Sequence, residues 1–209
     1  MKDIVYALSK TKSSAKESAF LVQKEYIKQG YINPDNIENK IKIFKNSATF
    51  IAKYKNRVVG TVSVFFDSDL GLPMDEIYNK ELNKLRSQNK KIAEVGHLAI
   101  DNDFLSKEPG FKEKYNNLFL VSSLFKLVFH YCIYENIDNI CISINPKHNL
   151  FYKSILFKDI GGLKFYPSVN NAPALAKTLD ISKLKNKKIK NYLLNKLFWD
   201  NPPDYKIFI

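Results

Sequence analysis

Residues Leu118 to Tyr134 set the strongest condition on this 209-residue chain. The run is apolar almost all round a helix, so it has no face for solvent and must lie against a sheet. Ser122, Ser123, Lys126 and His130 interrupt it, and it is too short and too polar to span a bilayer. Strands that could meet it are present. Thr49–Tyr54 and Val58–Phe66 are rich in β-branched and aromatic residues and flank the polar Lys55-Asn56-Arg57, which predicts an antiparallel hairpin. Ile92–Ile100 reads as a third strand and Ile140–Ile144 as a fourth, with further strand pieces at Lys164–Pro167 and Ala174–Leu179. Ala15, Ala19, Val22 and Tyr26 follow helical spacing over Ser14–Gln29, with Gly30 as the stop and Asn33-Pro34-Asp35 as a turn. A shorter helix, His148–Leu156, follows Asn145-Pro146. Between the second and third of these strands lies an insertion, Asp67–Lys91. Pro73 stands where a helix begins, Asp75 and Glu76 fall in its first turn, and Lys84 and Arg86 lie near its end, as the helix dipole favours. Ile77, Tyr78, Leu82 and Leu85 form its apolar side. The order predicts one α/β (α+β) domain built on a mixed sheet.

Composition narrows the function. At 45% hydrophobic and 26% charged the chain carries a real core. Its formal net charge is +12, yet all but two of the 33 cations are lysines; only Arg57 and Arg86 are arginines. Arginine is the residue of bidentate base and phosphate readout, so specific nucleic-acid recognition is disfavoured, and codon bias toward lysine is a sufficient alternative source of the charge. Cys132 and Cys141 sit in apolar runs and read as buried hydrophobes. His97, His130 and His148 are too scattered for a zinc-type ligand spacing, so no metal is expected. Met1–Ser14 has no apolar core of a signal peptide, which makes a cytoplasmic location the default. Residues 182–209 form a basic extension to a domain spanning 1–181. It holds seven lysines and two acids, with Leu184, Ile189, Tyr192, Leu193, Leu197 and Trp199 interspersed. As an amphipathic helix it either docks on the body of the same domain or meets a membrane surface or an acidic partner.

The segment Ala93-Glu94-Val95-Gly96-His97-Leu98-Ala99-Ile100-Asp101 is the most informative for chemistry. Strict alternation puts Glu94, Gly96, Leu98 and Ile100 on one strand face and Ala93, Val95, His97 and Ala99 on the other. A carboxylate among small and apolar neighbours is desolvated, and its pKa rises toward the range of a general base. The alternative is a strand-start Glu held by a lysine. His97 falls on the opposite face as a packed histidine, and would join Glu94 only through a β-bulge. Tyr152 follows a strand end and a proline turn, where a hydroxyl can either pack or donate a proton to a leaving thiolate. His148 beside it is either a cap neighbour or a substrate contact. No G-x-S-x-G, P-loop or H-E-x-x-H signature occurs.

Taken together, these segments resemble the acyltransferases of the GCN5-related (GNAT) fold. More narrowly they resemble the long-chain N-acyl amino acid synthases of the FeeM type, relatives of the N-acyl homoserine lactone synthases. The resemblance runs through Leu21-Val22, Tyr26, Gly30-Tyr31-Ile32 and Pro34, then Phe50-Ile51-Ala52 and Val59-Gly60-Thr61-Val62-Ser63. It continues with Asp67, Gly71-Leu72-Pro73-Met74-Asp75, Glu81-Leu82, Leu85-Arg86, Ala93-Glu94-Val95 and Leu98-Ala99-Ile100. It closes with Asn145-Pro146, His148, Phe151-Tyr152 and Val169-Asn170-Asn171-Ala172-Pro173-Ala174. Each piece is weak alone; their order over residues 15–181 makes the signal specific.

The resemblance implies a GNAT-like mixed β-sheet flanked by helices, with the helical insertion between its third and fourth strands. It implies an acyl thioester donor and an amine acceptor, with Glu94 as the base. Backbone N–H groups at Val95, Gly96, His97 and Leu98 become the expected oxyanion donors, Tyr152 the proton donor, and Tyr26, Asn145, His148 and Phe151 the substrate-binding residues. Homoserine lactone synthases usually carry an Arg three residues after this Glu; here the position is His97, which argues against a lactone-forming substrate. Gly96 likewise stands where a hydroxyl residue is common. Acetyl-CoA enzymes of the fold cradle a pyrophosphate on a glycine-rich loop, but between Ile100 and Leu118 the sole glycine is Gly110. A donor delivered by an acyl carrier protein on phosphopantetheine needs no such cradle, and an acidic carrier suits a lysine-rich surface. The expected reaction needs no metal or redox cofactor. The Leu118–Tyr134 helix and the insertion helix would wall an acyl tunnel or be plain core. The rival readings are an acyl-CoA enzyme acting on another amine, and a basic module that binds membrane or nucleic acid without catalysis.

Overall fold

The computed structural model describes residues 4–34, 46–111, 117–185 and 191–208. Seven strands form one sheet: β1 Ile4–Leu8, β2 Ser47–Tyr54, β3 Arg57–Phe66, β4 Ile92–Ile100, β5 Asn139–Ile144, β6 Lys158–Tyr166 and β7 Ala172–Asp180. Their order is β1-β2-β3-β4-β5-β7-β6. Only β4 and β5 run parallel; every other neighbouring pair is antiparallel. The helices are α1 Lys12–Lys28, α2 Asp75–Arg86, α3 Asn102–Leu105, α4 Asn117–Tyr134, α5 Asn149–Ser154, α6 Ile181–Lys185 and α7 Tyr192–Phe198.

The mixed α/β sheet and the insertion between β3 and β4 are as expected, and the local chemistry accounts for the boundaries that differ. Helix α1 starts two residues early because Thr11 and Ser14 form a reciprocal capping box. It stops where Gly30 adopts φ +72°, a conformation that favours glycine. Strand β1 carries no clear signal in the sequence, since it is a five-residue edge strand that buries mainly Ile4. Strand β6 begins six residues before the expected Lys164, because Gly161-Gly162 and two breaks of register hide its pattern. The His148–Leu156 helix divides into a tight turn at Pro146–His148 and α5. Asp35, the last residue of the expected turn, lies outside the described residues.

Helix α4 lies on one face of the sheet, where Leu120, Leu124, Val128 and Phe129 pack with Val59, Val62, Val64, Ala93, Ile140 and Ile142. The other face is covered by two helices. Helix α1 sets Leu21 and Val22 on Ile51, Val58 and Ala99. Helix α2 sets Tyr78 and Leu82 on Phe65, Ile92, Cys141 and Ala176. Since α2 and α4 occupy opposite faces, they do not wall a common tunnel, and that expectation is corrected. Tyr78, fully buried, ties α2 to the β6–β7 pair by donating to the carbonyls of Ala174 (2.6 Å) and Gly162 (2.9 Å). Its ring passes where a Cβ on Gly161 would stand, 2.8 Å away.

The C-terminal segment is not one basic helix. It breaks into α6, α7 and a turn at Tyr205–Phe208, with Lys187, Lys188 and Lys190 outside the described residues. Phe198 and Trp199 pack on Phe129, and Phe208 packs on Phe50 and Tyr131. His130 of α4 reaches the Phe198 carbonyl through Nε2 (2.8 Å) and the Tyr205 hydroxyl through Nδ1 (3.0 Å). Lys126 donates to the carbonyls of Lys196 and Asp200 and so satisfies backbone acceptors at the end of α7. Among the described residues no helix is long and apolar enough to cross a membrane.

Candidate active site

Strands β4 and β5 pair only at Ile92–Asn139, Ala93–Ile140 and Glu94–Cys141, and then part. On its other edge β4 carries one extra residue. Gly96 faces Ser63 and Ala99 faces Thr61, so three steps along β4 answer two along β3. His97 takes up the difference at φ +53°, left-handed backbone that costs a β-substituted residue about 1 kcal/mol or more. The bulge inverts the side-chain order. Leu98 and Ile100 pack with the α4 cluster and do not share a face with Glu94 as alternation predicts. His97 crosses to the Glu94 side, where its ring stands edge-on to Phe65 (5.0 Å) and Tyr26 (6.2 Å).

The gap between the parted strands is a cleft of about 100 Å³. Val95, Gly96, His97 and Leu98 line it from β4 and Ile142, Ser143 and Ile144 from β5. Val121 and Phe125 of α4 close one side, and Tyr26, Phe151 and Tyr152 complete the wall. Three sets of expected residues therefore meet here: the four backbone positions, Tyr26 with Phe151, and Tyr152. Asn145 and His148 do not line the cleft. The Asn145 side chain accepts the Lys147 amide and caps the turn, while His148 is an exposed residue at the start of α5.

Glu94 lies behind the cleft, 5% exposed, beneath the chain that leads into α2. The Met74 amide donates to its Oε2 at 2.8 Å. Burial pushes the carboxyl up to about 8; the Met74 hydrogen bond opposes this and the Asp75 charge adds to it. No cation contributes, so the alternative of a lysine-held glutamate finds no support among the described residues. Tyr26 is close enough to feel Glu94, Tyr31 and Tyr152. Burial and these neighbours hold its hydroxyl protonated, against a backbone hydrogen bond with His97. Burial alone pushes Tyr152 up to about 12, so it enters any reaction as a proton donor. Burial lowers His97 to about 4 and keeps its imidazole neutral.

The stretch over Glu94 is firmly tied. Arg86 forks onto Asp67 (Nε and Nη2, both 2.8 Å) and onto Asp75 (Nη2 2.6 Å, Nη1 2.8 Å). Asp75 also accepts the Leu72 amide at 2.7 Å, and the Tyr166 hydroxyl donates to the Pro73 carbonyl at 2.5 Å. None of these partners of Glu94 is foreseen from the sequence. Asp75 and Arg86 read there as ordinary helix-dipole charges, and Tyr166 stands in an unremarkable strand. The Met74 amide is a backbone group and carries no sequence signal at all. Among the described residues, the group of three carboxylates close enough to hold a metal ion is Glu25, Asp101 and Asp103, which Lys24, Lys28 and Arg57 already neutralise.

The chain is similar to known acyltransferases in both sequence and shape. Residues 17–180 match the family model of the N-acyl amino acid synthase FeeM. The structure of FeeM, an N-acyl amino acid synthase from uncultured soil microbes, superimposes with a TM-score of 0.77 at 32% identity, over 89% of this chain and 96% of that one. The acyl-homoserine lactone synthase LasI shares the fold at 9% identity, with a TM-score of 0.63 over 94% of this chain and 93% of its own. BjaI, a CoA-dependent acyl-homoserine lactone synthase, shares it at 15% identity, with a TM-score of 0.53 over 87% and 76%. No curated protein matches by sequence. The parted strands, the bulge beside a buried carboxylate and the match over most of the chain agree: this protein is an N-acyltransferase that belongs to the FeeM family of N-acyl amino acid synthases.

Proposed function

We propose that the protein transfers a long-chain acyl group from an acyl carrier protein thioester to the amine of an amino acid, with Glu94 as general base. One observation carries the reading: a carboxylate with no cation partner among the described residues, buried at the point where β4 and β5 part. The two sides of the cleft suit two different substrates. Toward α4 the lining is apolar, with Val62, Val121, Phe125, Ile142 and Ile144, and suits an acyl chain. Toward α1 and α2 lie Glu94, Tyr26 and His97, which suit a polar acceptor.

Glu94 takes a proton from the acceptor ammonium, and the freed amine attacks the thioester carbonyl. Backbone amides of the parted β4 edge, Val95 to Leu98, stabilise the developing oxyanion. As the C–N bond forms and the C–S bond breaks, Tyr152 gives its hydroxyl proton to the thiolate. The amide nitrogen loses its second proton and the tyrosine is restored. The residues supply this sequence without a metal or redox group. Tyr152→Phe is expected to lower kcat by about 10²-fold, the low end for a positioned proton donor, with little change in the KM for either substrate. An unchanged kcat in steady-state assays would remove Tyr152 from the proton transfer.

The donor is tested by offering purified protein a long-chain acyl carrier protein or the matching acyl-CoA, each with pooled amino acids, and reading products by mass spectrometry. Higher kcat/KM with the carrier, falling as salt is raised, is expected, since lysine-rich surface would steer an acidic partner. Equal or better turnover with acyl-CoA, as the CoA dependence of BjaI illustrates for that protein, would favour the rival donor. Exposed Tyr192 and Leu193 on α7, beside Lys196, give the protein a face suited to peripheral contact with an anionic bilayer that receives the product.

A further inference from the structure

The ion cluster of the insertion stands directly over the buried carboxylate. Arg86 holds Asp67 at the start of the insertion and Asp75 at the first turn of α2, so both ends of the intervening stretch are fixed to one guanidinium. Met74, whose amide meets Glu94, is the residue just before Asp75. We infer that the Asp67–Arg86–Asp75 cluster is a positioning device for Glu94, holding the Met74 amide on the carboxylate and fixing the net charge that the carboxylate faces. This deepens the proposed function and rests on Glu94 being the base.

The groups around Glu94 leave the cluster as the charge it feels. Asp75 faces it from α2, Cys141 from β5, Tyr166 from β6 and Tyr26 from α1, with His97 on its own strand. Burial raises both tyrosines and pushes Cys141 up to about 12, while His97 is neutral above about 4. Near neutral pH all four are therefore uncharged. Among the groups named, only the cluster carries charge, one guanidinium against two carboxylates, and Asp75 is the member that acts on Glu94 directly. Burial, acting on the carboxyl first, sets the base high; the cluster decides how high.

The arrangement makes a two-directional test possible. Asp75→Asn keeps the shape and brings the cluster to neutrality, so the inflection of Glu94 falls. Arg86→Gln leaves two bare carboxylates and frees the Met74 stretch, so the inflection rises. Each change is expected to reach about half a pH unit or more, the size of one charge beside a partly screened carboxyl. Arg86→Lys keeps the charge but loses the fork, so its inflection rises by less than that of Arg86→Gln. The readout is the 13C carboxyl titration of Glu94 in the full chain, assigned by difference from Glu94→Gln and compared with kcat/KM against pH. Opposite movements support the device. A merely structural cluster would open the site to water in both variants and move both inflections downward, which overturns the proposal, as does no movement. If Arg86→Gln does not fold, Arg86→Lys takes its place: a raised inflection there beside a lowered one in Asp75→Asn supports the device, and any other pair overturns it. Full turnover by Glu94→Gln would instead defeat the base assignment, and the carboxyl titration would still report on the cluster.

Discussion

Glu94→Gln is expected to lower kcat/KM for acyl transfer by about 10²–10⁴-fold, the usual worth of a positioned general base. Glutamine preserves the shape and can still accept the Met74 amide, so donor binding should survive while the proton acceptor is lost. The pH dependence follows from the ionisation. Only the deprotonated carboxylate can take the acceptor's proton, so wild-type kcat/KM should climb with pH and level off above an inflection near 8. The variant should lack that limb. Residual turnover within tenfold of wild type, or an unchanged limb, would show that another group does the work.

The same substitution has an opposite consequence for stability. The folded carboxyl titrates well above its ordinary value of 4.5, so folding favours its neutral form. Its stabilising contribution is complete below pH 4.5 and is lost as pH rises through about 8. A glutamine has no charge to bury. Glu94→Gln should therefore gain stability over wild type as pH rises from 4.5 to about 8 and hold that gain above it, measured as the difference in urea midpoints at pH 6 and pH 9. A carboxyl buried to serve as the proposed base weakens the fold at the pH where it would act, and this is the physical cost of its placement.

Phe198→Ala is expected to destabilise the protein by about 3–5 kcal/mol, the range for deleting a buried aromatic ring. The ring is fully buried between Phe129 (4.7 Å) and Phe125 (6.2 Å), the latter also a wall of the cleft. Its loss also loosens the rest of the C-terminal segment. Trp199 packs on Phe129, His130 bonds the Phe198 carbonyl, and Phe208 closes over Phe50 and Tyr131. Urea unfolding of the variant measures the effect. A loss below about 1 kcal/mol would mean that the segment rests on the domain without supporting it. The larger deletion of residues 182–209 would uncover the apolar flank of α4 and should leave an aggregating chain.

The sequence made some of this legible and hid the rest for identifiable reasons. An α4 apolar on most of its circumference demands a sheet on one side and further cover on the other, and it has both in the strands and in α7. The insertion helix was readable because its end charges and apolar spacing agree. Glu94 stood out because a carboxylate in an apolar strand has few structural explanations. The bulge at His97 was not readable. His97 is not glycine, nothing local marks a left-handed residue in a run of strand formers, and one inserted residue reverses every face beyond it. Strand β6 was lost for the converse reason, since two adjacent glycines conceal a paired segment. The partners of Glu94 were hidden because they come from backbone groups and from charges that already had a local purpose.

The placement of α4 on one face and of α1 and α2 on the other has a bearing on how such an enzyme diversifies. In the proposed reaction the sheet is a partition with one slot, and each substrate is read from its own room. Residues that measure the lipid and residues that choose the amine share only the strand edge where they meet. Drift on one side need not retune the other. A lineage built this way can exchange its acceptor while keeping its chain length, or lengthen the chain while keeping its acceptor, one substitution at a time.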